Sequence, residues 1–508
     1  MTINTTMSAE SLRELAETTG VCVRPVLHEV HDTETGKKTL IPTPCGSTRD
    51  SKCPPCAAKS RRLRMHQCRE GWHLDEEPDV GNPGDPDPDP GPDPDDDDPD
   101  DDVSRRSRST RRRQDVPDLP RLPVDQRTVG TVFTTRMGKT YRPSMFLTLT
   151  LPSYGPVTGE GTPHGRDYDY RRAALDAMHF PKLVDRFWQN LRRASGYQVQ
   201  YFAVVEEQRR LAPHLHAAVR GAIPRELVRK VASATYHQVW WPSFDQAVYA
   251  DRIPVWRDGV GYVDPDTGQS LATWEEALDA IDADEDASPA HVVRFGKQMD
   301  LQGIIATEGD ADRRVVYLTK YLTKAISGTY GEPDELSPGQ FRHLTRIQEQ
   351  VEILPCSPRC WNWLRYGVQP KDAAEGAVPG LCPMRAHDPE NLGCGGRRVL
   401  VSRKWTGKTL KDHKADRATV VRQVLEAAGA EVPESDRMSV EVMREDGTPR
   451  FVWKYWDPLK SSAPIYRQII TRSIAEHLRW KAQYESAKER ASPVSVTPQG
   501  PPSAGADP

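Results

Sequence analysis

The chain has 508 residues, 37 % of them hydrophobic and 28 % charged, enough for two to four domains with cores in part of the length. Its net charge of −4 hides an asymmetry. Fifteen acids and no bases fall between residues 75 and 102, and the rest of the chain carries a net charge of about +11, which favours a polyanionic partner such as nucleic acid. No apolar run approaches the roughly 18 residues of a membrane span. The N-terminus has no basic start leading into an apolar core, so no secretory signal is read and a cytoplasmic location is expected.

Residues 1–74 read as a cysteine-rich N-terminal module. In a reducing compartment clustered thiols are metal ligands sooner than disulfides. Cys45, Cys53, Cys56 and Cys68 fall within 24 residues, with the CPPC spacing that chelates one tetrahedral zinc. Cys22, His28 and His66 compete with Cys68 for the fourth position. Residues 75–115 read as a disordered linker: alternating Pro and Asp cannot build a core, and the basic arm SRRSRSTRRR at 104–113 either binds DNA or neutralises the acidic tract.

Residues 116–350 carry the patterned elements. SMFLTLTLPSYG (144–155) is a β-branched and aromatic run, hence a strand. A helix follows over YDYRRAALDAMHFPKLVDRFWQNLRRASG, with Leu183, Phe187 and Leu191 four apart, a break or kink expected at Pro181, and Gly196 as its stop. Two strands, 197–208 and PHLHAAVRG, flank a hairpin-like RRLA. PRELVRKVASATYHQVWW reads as helix, 250–290 as an acidic insertion or long loop, and DRRVVYLTKYLTKAISG as a helix capped by Gly328. This order predicts an α+β domain around an antiparallel sheet.

Residues 351–430 form a second cysteine-rich, basic module. Cys356, Cys360, Cys382 and His387 make a second zinc set, with Cys394 as the alternative to His387. Both zinc sites would be structural, since four protein ligands leave no open position. Residues 431–491 form a C-terminal region with a basic helix over 464–491, and 492–508 a disordered tail.

The chemistry concentrates in the middle. Alternate residues of a strand share a face, so APHLHAAVRG presents His214 and His216 together. Glu206 and Gln208 share parity on the preceding strand, and either can lie opposite the pair. Two imidazoles and one carboxylate suit Mg²⁺ or Mn²⁺ as well as zinc and leave open positions. In VVYLTKYLTKA, Tyr317 and Tyr321 are four apart on a helix, as are Lys320 and Lys324. A phenol is a possible covalent nucleophile toward a phosphodiester, and the lysines can neutralise phosphate charge.

FLTLTLPSYG, PHLHAAVRG and YLTKYLTK, in that order, resemble the three motifs of the HUH (His-hydrophobic-His) endonucleases. More narrowly, VEEQRRLAPHLHAAVRG and GGRRVLVSRKWTGKTL are similar to replication initiators of actinomycete rolling-circle plasmids, over roughly 120–425. The resemblance implies a ferredoxin-like core with a central antiparallel sheet, flanked here by the zinc modules, and nicking of one strand at a plasmid origin. It implies a divalent metal (Mg²⁺ or Mn²⁺) on His214 and His216, with Glu206 as third ligand and Gln208 in reserve. Tyr321 would attack first, taking the 5′ phosphate and freeing a 3′ hydroxyl for a host polymerase. Tyr317 resembles the second phenol of two-tyrosine phage initiators, and Lys320 and Lys324 would assist at the phosphate. RKWTGKTL lacks the upstream glycine of a phosphate loop, so any helicase is expected to be a separate protein. Rival readings are a relaxase or transposase of the same superfamily, and a zinc-containing DNA-binding regulator without catalysis. Relaxases usually place the tyrosine before the histidines, and here it follows them.

Overall fold

The computed structural model describes residues 8–72, 74, 76–78, 119–129, 133–134, 136, 138, 140–164, 167–305, 308–320, 329–331, 335–427, 438, 440, 442–456 and 463–491. The expected linker and basic arm (75–115) lie outside the described residues except at 76–78, and the expected tail at 492–508 lies wholly outside them. Among the described residues no helix is long and apolar enough to cross a membrane.

The chain packs as two compact units, Arg61–Leu410 and Met1–Ser60 with Lys411–Pro508. This differs from boundaries at 74/75, 350/351 and 430/431, because the elements pair across those points. The larger unit is built on five strands: β1 (Pro143–Thr150), β2 (Tyr201–Glu207), β3 (Pro213–Arg220), β4 (Met299–Ile305) and β5 (Val399–Val401). Their order is β4-β1-β3-β2-β5, and every neighbouring pair is antiparallel. The fold is α+β, as expected. The residues 351–430 are not a separate module, for Val399–Val401 is an edge strand of this sheet, pairing with Phe202–Val204.

Strand parity gives the sheet two distinct faces. Met145, Leu147, Leu149, Ala203, Val205, Leu215, Ala217 and Val219 look to one side and join the main core. The helix α1 (Tyr170–Ser195) covers that side with Leu183, Phe187 and Leu191, all fully buried. Asp169 caps α1 by accepting from the Arg172 amide, and Gly196 ends it at φ 74, a conformation that glycine adopts without strain. The helix runs unbroken through Pro181, so the expected break is absent; Gly396 packs close against the Pro181 ring. The opposite face carries Phe146, Phe202, Val204 and Ala218, covered by Val315 and Leu318 of the helix α2 (Glu308–Thr319) and by Trp72 and Trp405. With both faces covered, every residue of β3 is buried.

Other expectations shift. The helix expected over PRELVRKVASATYHQVWW ends at Ala234, and Tyr236–Val239 becomes a strand paired with His291–Arg294; its β-branched and aromatic residues favour extended backbone. The 250–290 segment holds a two-stranded hairpin and the helix Trp274–Ala283, which begins in a capping box at Thr273 and buries Trp274 and Leu278 in the main core. Its acids face outward, which is why composition alone reads as loop. Asp176 of α1 is buried, accepting from Tyr154 Oη at 3.0 Å and lying 2.7 Å from His291 Nε2.

The smaller unit joins both chain ends. Val26–Asp32 pairs antiparallel with Lys38–Thr43 and with Phe451–Tyr455. Leu12 and Ala16 of the helix Ala9–Thr19 meet Ile470 and Ile474 of the helix Ala463–Ala491 in a small core.

His343, on the helix Pro338–Ile353, is buried against Tyr168, with Tyr170 Oη 2.9 Å from its Nδ1. Burial depresses its pKa from 6.5 to about 4. As pH falls from 6.5 toward 4 the unfolded chain binds a proton there that the folded chain refuses, so stability is lost over that window. His343→Phe is expected to give a shallower decline than the wild type in urea unfolding measured at pH 6.5, 5.5 and 4.5.

Candidate metal centre

Antiparallel register assembles the site. On β3, His214 stands opposite Glu206 of β2 and Thr150 of β1, and His216 stands opposite Val204 and Thr148. Paired residues share a face, so both imidazoles, Glu206 and Thr148 converge on the side covered by α2. The His214 and His216 Nε2 atoms are 2.7 Å apart. Glu206 Oε2 lies 3.6 Å from His216 Nε2 and 4.0 Å from His214 Nε2. One donor atom from each of the three falls within 4.8 Å of the others.

Burial dictates the charges. It pushes the Glu206 carboxyl up to about 7, against the opposing pull of Arg398 and Lys320. It pushes His214 down to about 3, helped by His216, and His216 down to about 4, with Asp300 acting the other way. Both imidazoles are therefore neutral at pH 7 and offer lone pairs, the form in which histidine binds metal. Glu206 Oε1 is buried without a hydrogen-bond partner, a costly state for a carboxyl oxygen unless a cation or proton satisfies it. The three donors, two neutral imidazoles and a carboxylate within 4.8 Å of one another, are thus chemically suited to hold one divalent metal ion.

Thr148 was not singled out from the sequence. Its Oγ1 lies 2.9 Å from His216 Nδ1. With Nδ1–H donated to Thr148, the His216 Nε2 lone pair faces Glu206, an orientation of the kind that supports metal ligands. The alternating LTLT of β1 carries the signal, since Thr148 and Thr150 share parity. Phe146 stacks on the His216 ring at 5.9 Å.

Tyr317, near the end of α2, is 42 % exposed, and its Oη lies 3.3 Å from His216 Nε2. Lys320 follows the helix and bears on Glu206. Tyr321 and Lys324 lie outside the described residues. Gln208 does not join the donors: it sits past the end of β2, where its Oε1 accepts from Arg210 Nε at 2.7 Å. The turn it begins is held by Leu211 at φ 55 and by Arg210 donating to the Leu151 and Pro152 carbonyls.

The cysteines form two tetrads. Cys356, Cys360, Cys382 and His387 converge as expected, with Cys360 Sγ 3.2 Å from His387 Nε2. Cys394 is buried in the main core outside that set. In the other tetrad Cys45, Cys53 and Cys56 are joined by Cys22, not by Cys68. Cys56 and Cys68 lie on one helix, Pro54–Trp72, and twelve residues of helix separate them by about 18 Å, too far to share an ion. Cys68 is fully buried with Trp72, Phe146 and Trp405. His28 Nδ1 lies 3.3 Å from Thr43 Oγ1, and His66 pairs with Glu70 at 3.4 Å.

Fold and site define an α+β protein that carries a two-histidine, one-carboxylate donor set on one face of an antiparallel sheet. Residues 8–476 match the family model RepSA, "Replication initiator protein, pSAM2". The chain belongs to this RepSA family of replication initiator proteins. A replication initiator protein of Streptomyces ambofaciens is 28 % identical over 268 residues, covering 44 % of this chain and 53 % of the relative. The chain thus spans about half the length of the curated relative it matches. No solved structure matches.

Thr148→Val keeps the strand but removes the partner of His216 Nδ1. Its expected effect is a loss of roughly 10–100-fold in Mn²⁺ affinity, read by titration calorimetry with the wild type beside it, while Gln208→Ala leaves the affinity unchanged.

Proposed function

We propose that this protein initiates plasmid replication by nicking one DNA strand at the origin through tyrosine transesterification. The observation that carries the proposal is the convergence of His214, His216 and Glu206 beneath the exposed Tyr317 phenol, 3.3 Å from His216. The HUH motif order and membership of the replication initiator family support it, as does the positive balance of the chain outside the acidic tract.

Bound at the three donors, Mg²⁺ or Mn²⁺ would polarise the scissile phosphate as a Lewis acid. His214 and His216 present neutral Nε2 atoms, and Glu206 supplies the anionic oxygen. Thr148 holds the His216 ring. Lys320 stands where phosphate charge needs neutralising. A tyrosine oxygen attacks phosphorus, the bond to the 3′ oxygen breaks, and the phenolic proton is lost as the leaving oxygen gains one. The 5′ phosphate remains on the tyrosine, and the free 3′ hydroxyl primes synthesis by a host polymerase, with a separate helicase opening the duplex. The ester exchange keeps the bond energy, so no ATP is consumed. Among the described residues the Tyr317 Oη lies 3.3 Å from His216 Nε2, which supports giving it the first attack in this reading. Tyr321, to which the motif resemblance gives that role, is then the second phenol. Cys356, Cys360, Cys382 and His387 hold a structural zinc that stabilises the loop-rich 355–395 segment of the same unit.

Supercoiled plasmid bearing the cognate origin, incubated with the full chain and Mn²⁺, is expected to yield relaxed circles with protein on the 5′ end. His214→Ala and His216→Ala should abolish the product, and Tyr317→Phe should abolish the adduct. Loss in Tyr321→Phe alone reverses the two roles. Binding without strand breakage, or nicking that survives both alanine variants, sinks the proposal and favours a non-catalytic DNA-binding regulator; a nick that needs different DNA ends would point to a transposase or relaxase.

A further inference from the structure

The smaller unit has little apolar material. Its core around the two terminal helices is Leu12, Ala16, Val21, Val23, Ile470 and Ile474, together with Cys22, Cys53 and Cys56 themselves. A core this small calls for a staple. Four sulfurs meet in it, all within 4.8 Å of one another. All four cysteines are free, and the Cys53 and Cys22 sulfurs are 3.7 Å apart, well beyond the roughly 2.05 Å of a disulfide. That spacing matches the edge of a tetrahedron of sulfurs about 2.3 Å from a central zinc, close to 3.8 Å.

The ligands come from three places that the fold brings together. Cys22 follows the helix Ala9–Thr19, Cys45 follows the strand Lys38–Thr43, and Cys53 and Cys56 flank the start of the helix Pro54–Trp72. The Cys45 amide donates to Cys22 Sγ at 3.3 Å, the kind of N–H contact that steadies a metal-bound thiolate. The helix start at Cys53 and Cys56 likewise favours negative sulfur. The C-terminal helix leans on the same loops, for Tyr466 Oη donates to the Val23 carbonyl at 2.6 Å.

We propose that Cys22, Cys45, Cys53 and Cys56 form a closed four-sulfur zinc site that ties together the N-terminal loops on which the C-terminal helix Ala463–Ala491 packs. With four protein ligands it has no open position, so its role is structural. It is independent of the nicking chemistry proposed above.

Zinc content of the purified full chain, measured by inductively coupled plasma mass spectrometry, is the first test. C22S is expected to hold one zinc equivalent fewer than the wild type, and C68S the same as the wild type. The reverse pattern, or equal content in wild type and C22S, overturns the site. Because C22S can fail by misfolding, the unaltered chain supplies the second test. Loaded with ¹¹³Cd²⁺, it is expected to show a resonance in the four-sulfur range by NMR, distinct from that of the three-sulfur, one-nitrogen tetrad. Absence of the four-sulfur resonance, or a disulfide among these four cysteines in the intact mass, overturns the proposal. Nicking of the origin plasmid is unaffected by either result, which separates this site from the donors at His214 and His216.

Discussion

The register of β3 between β1 and β2 is the constraint on which the site depends. Side-chain direction has a period of two in a strand, so a slip by one residue would turn His214 and His216 into the main core and bring Leu215 and Ala217 to the donor face. The pairing is fixed on both edges at once, Glu206 opposite His214 and Thr148 opposite His216. Apolar packing enforces it: Leu147, Leu215 and Ala203 on one face and Phe146, Ala218 and Phe202 on the other each meet a different set of helices. Burying two imidazoles and a carboxyl is unfavourable by itself; the hydrophobic contacts of the same three strands hold them together.

The strand is also anchored at its far end. Arg220 is buried and donates to the carbonyls of Gly71, Lys404 and Trp405. Burial lowers its pKa to about 10, with Glu77 acting to raise it, so the guanidinium stays charged. Glu77 in turn accepts from the Thr128 and Val129 amides at 2.8 and 2.7 Å. The clamp needs close approach: a Cβ on Gly71 would fall 2.2 Å from the Trp405 ring. One strand thus joins the donor set at its start to three distant chain segments at its end.

The donors were legible in the sequence because they obey local rules. His-x-His on an apolar run and a carboxylate of matching parity on the preceding strand specify a shared face without any knowledge of the fold. Helix ends were less so. Spacing sets Tyr317 and Tyr321 on one helical face; Tyr317 lies on α2, which ends at Thr319, and Tyr321 lies outside the described residues. Long-range partners are only partly legible: the sequence offers Cys22 as one of three rivals to Cys68 without choosing among them. Cys22 stands 23 residues before Cys45, and only the hairpin Val26–Thr43 returns the chain to it. Cys68 was attractive by spacing alone, and the continuity of Pro54–Trp72 removes it. The three residues of β5 and the buried Trp274 are set by tertiary packing, which no short window records.

The donor sets differ in what they leave open, and this difference separates roles within the chain. Each tetrad supplies four ligands from loops and helix starts, so a cation there is closed off and serves only to fix those loops. The sheet site supplies three donors from two paired strands, all on one face. Phe146 lies against both the His216 ring and the Tyr317 ring, and Tyr317 itself is half-exposed. A single helix laid across the sheet thereby sets a half-exposed phenol 3.3 Å from one of three clustered donors, and it is on this neighbourhood that the proposed phosphodiester exchange rests.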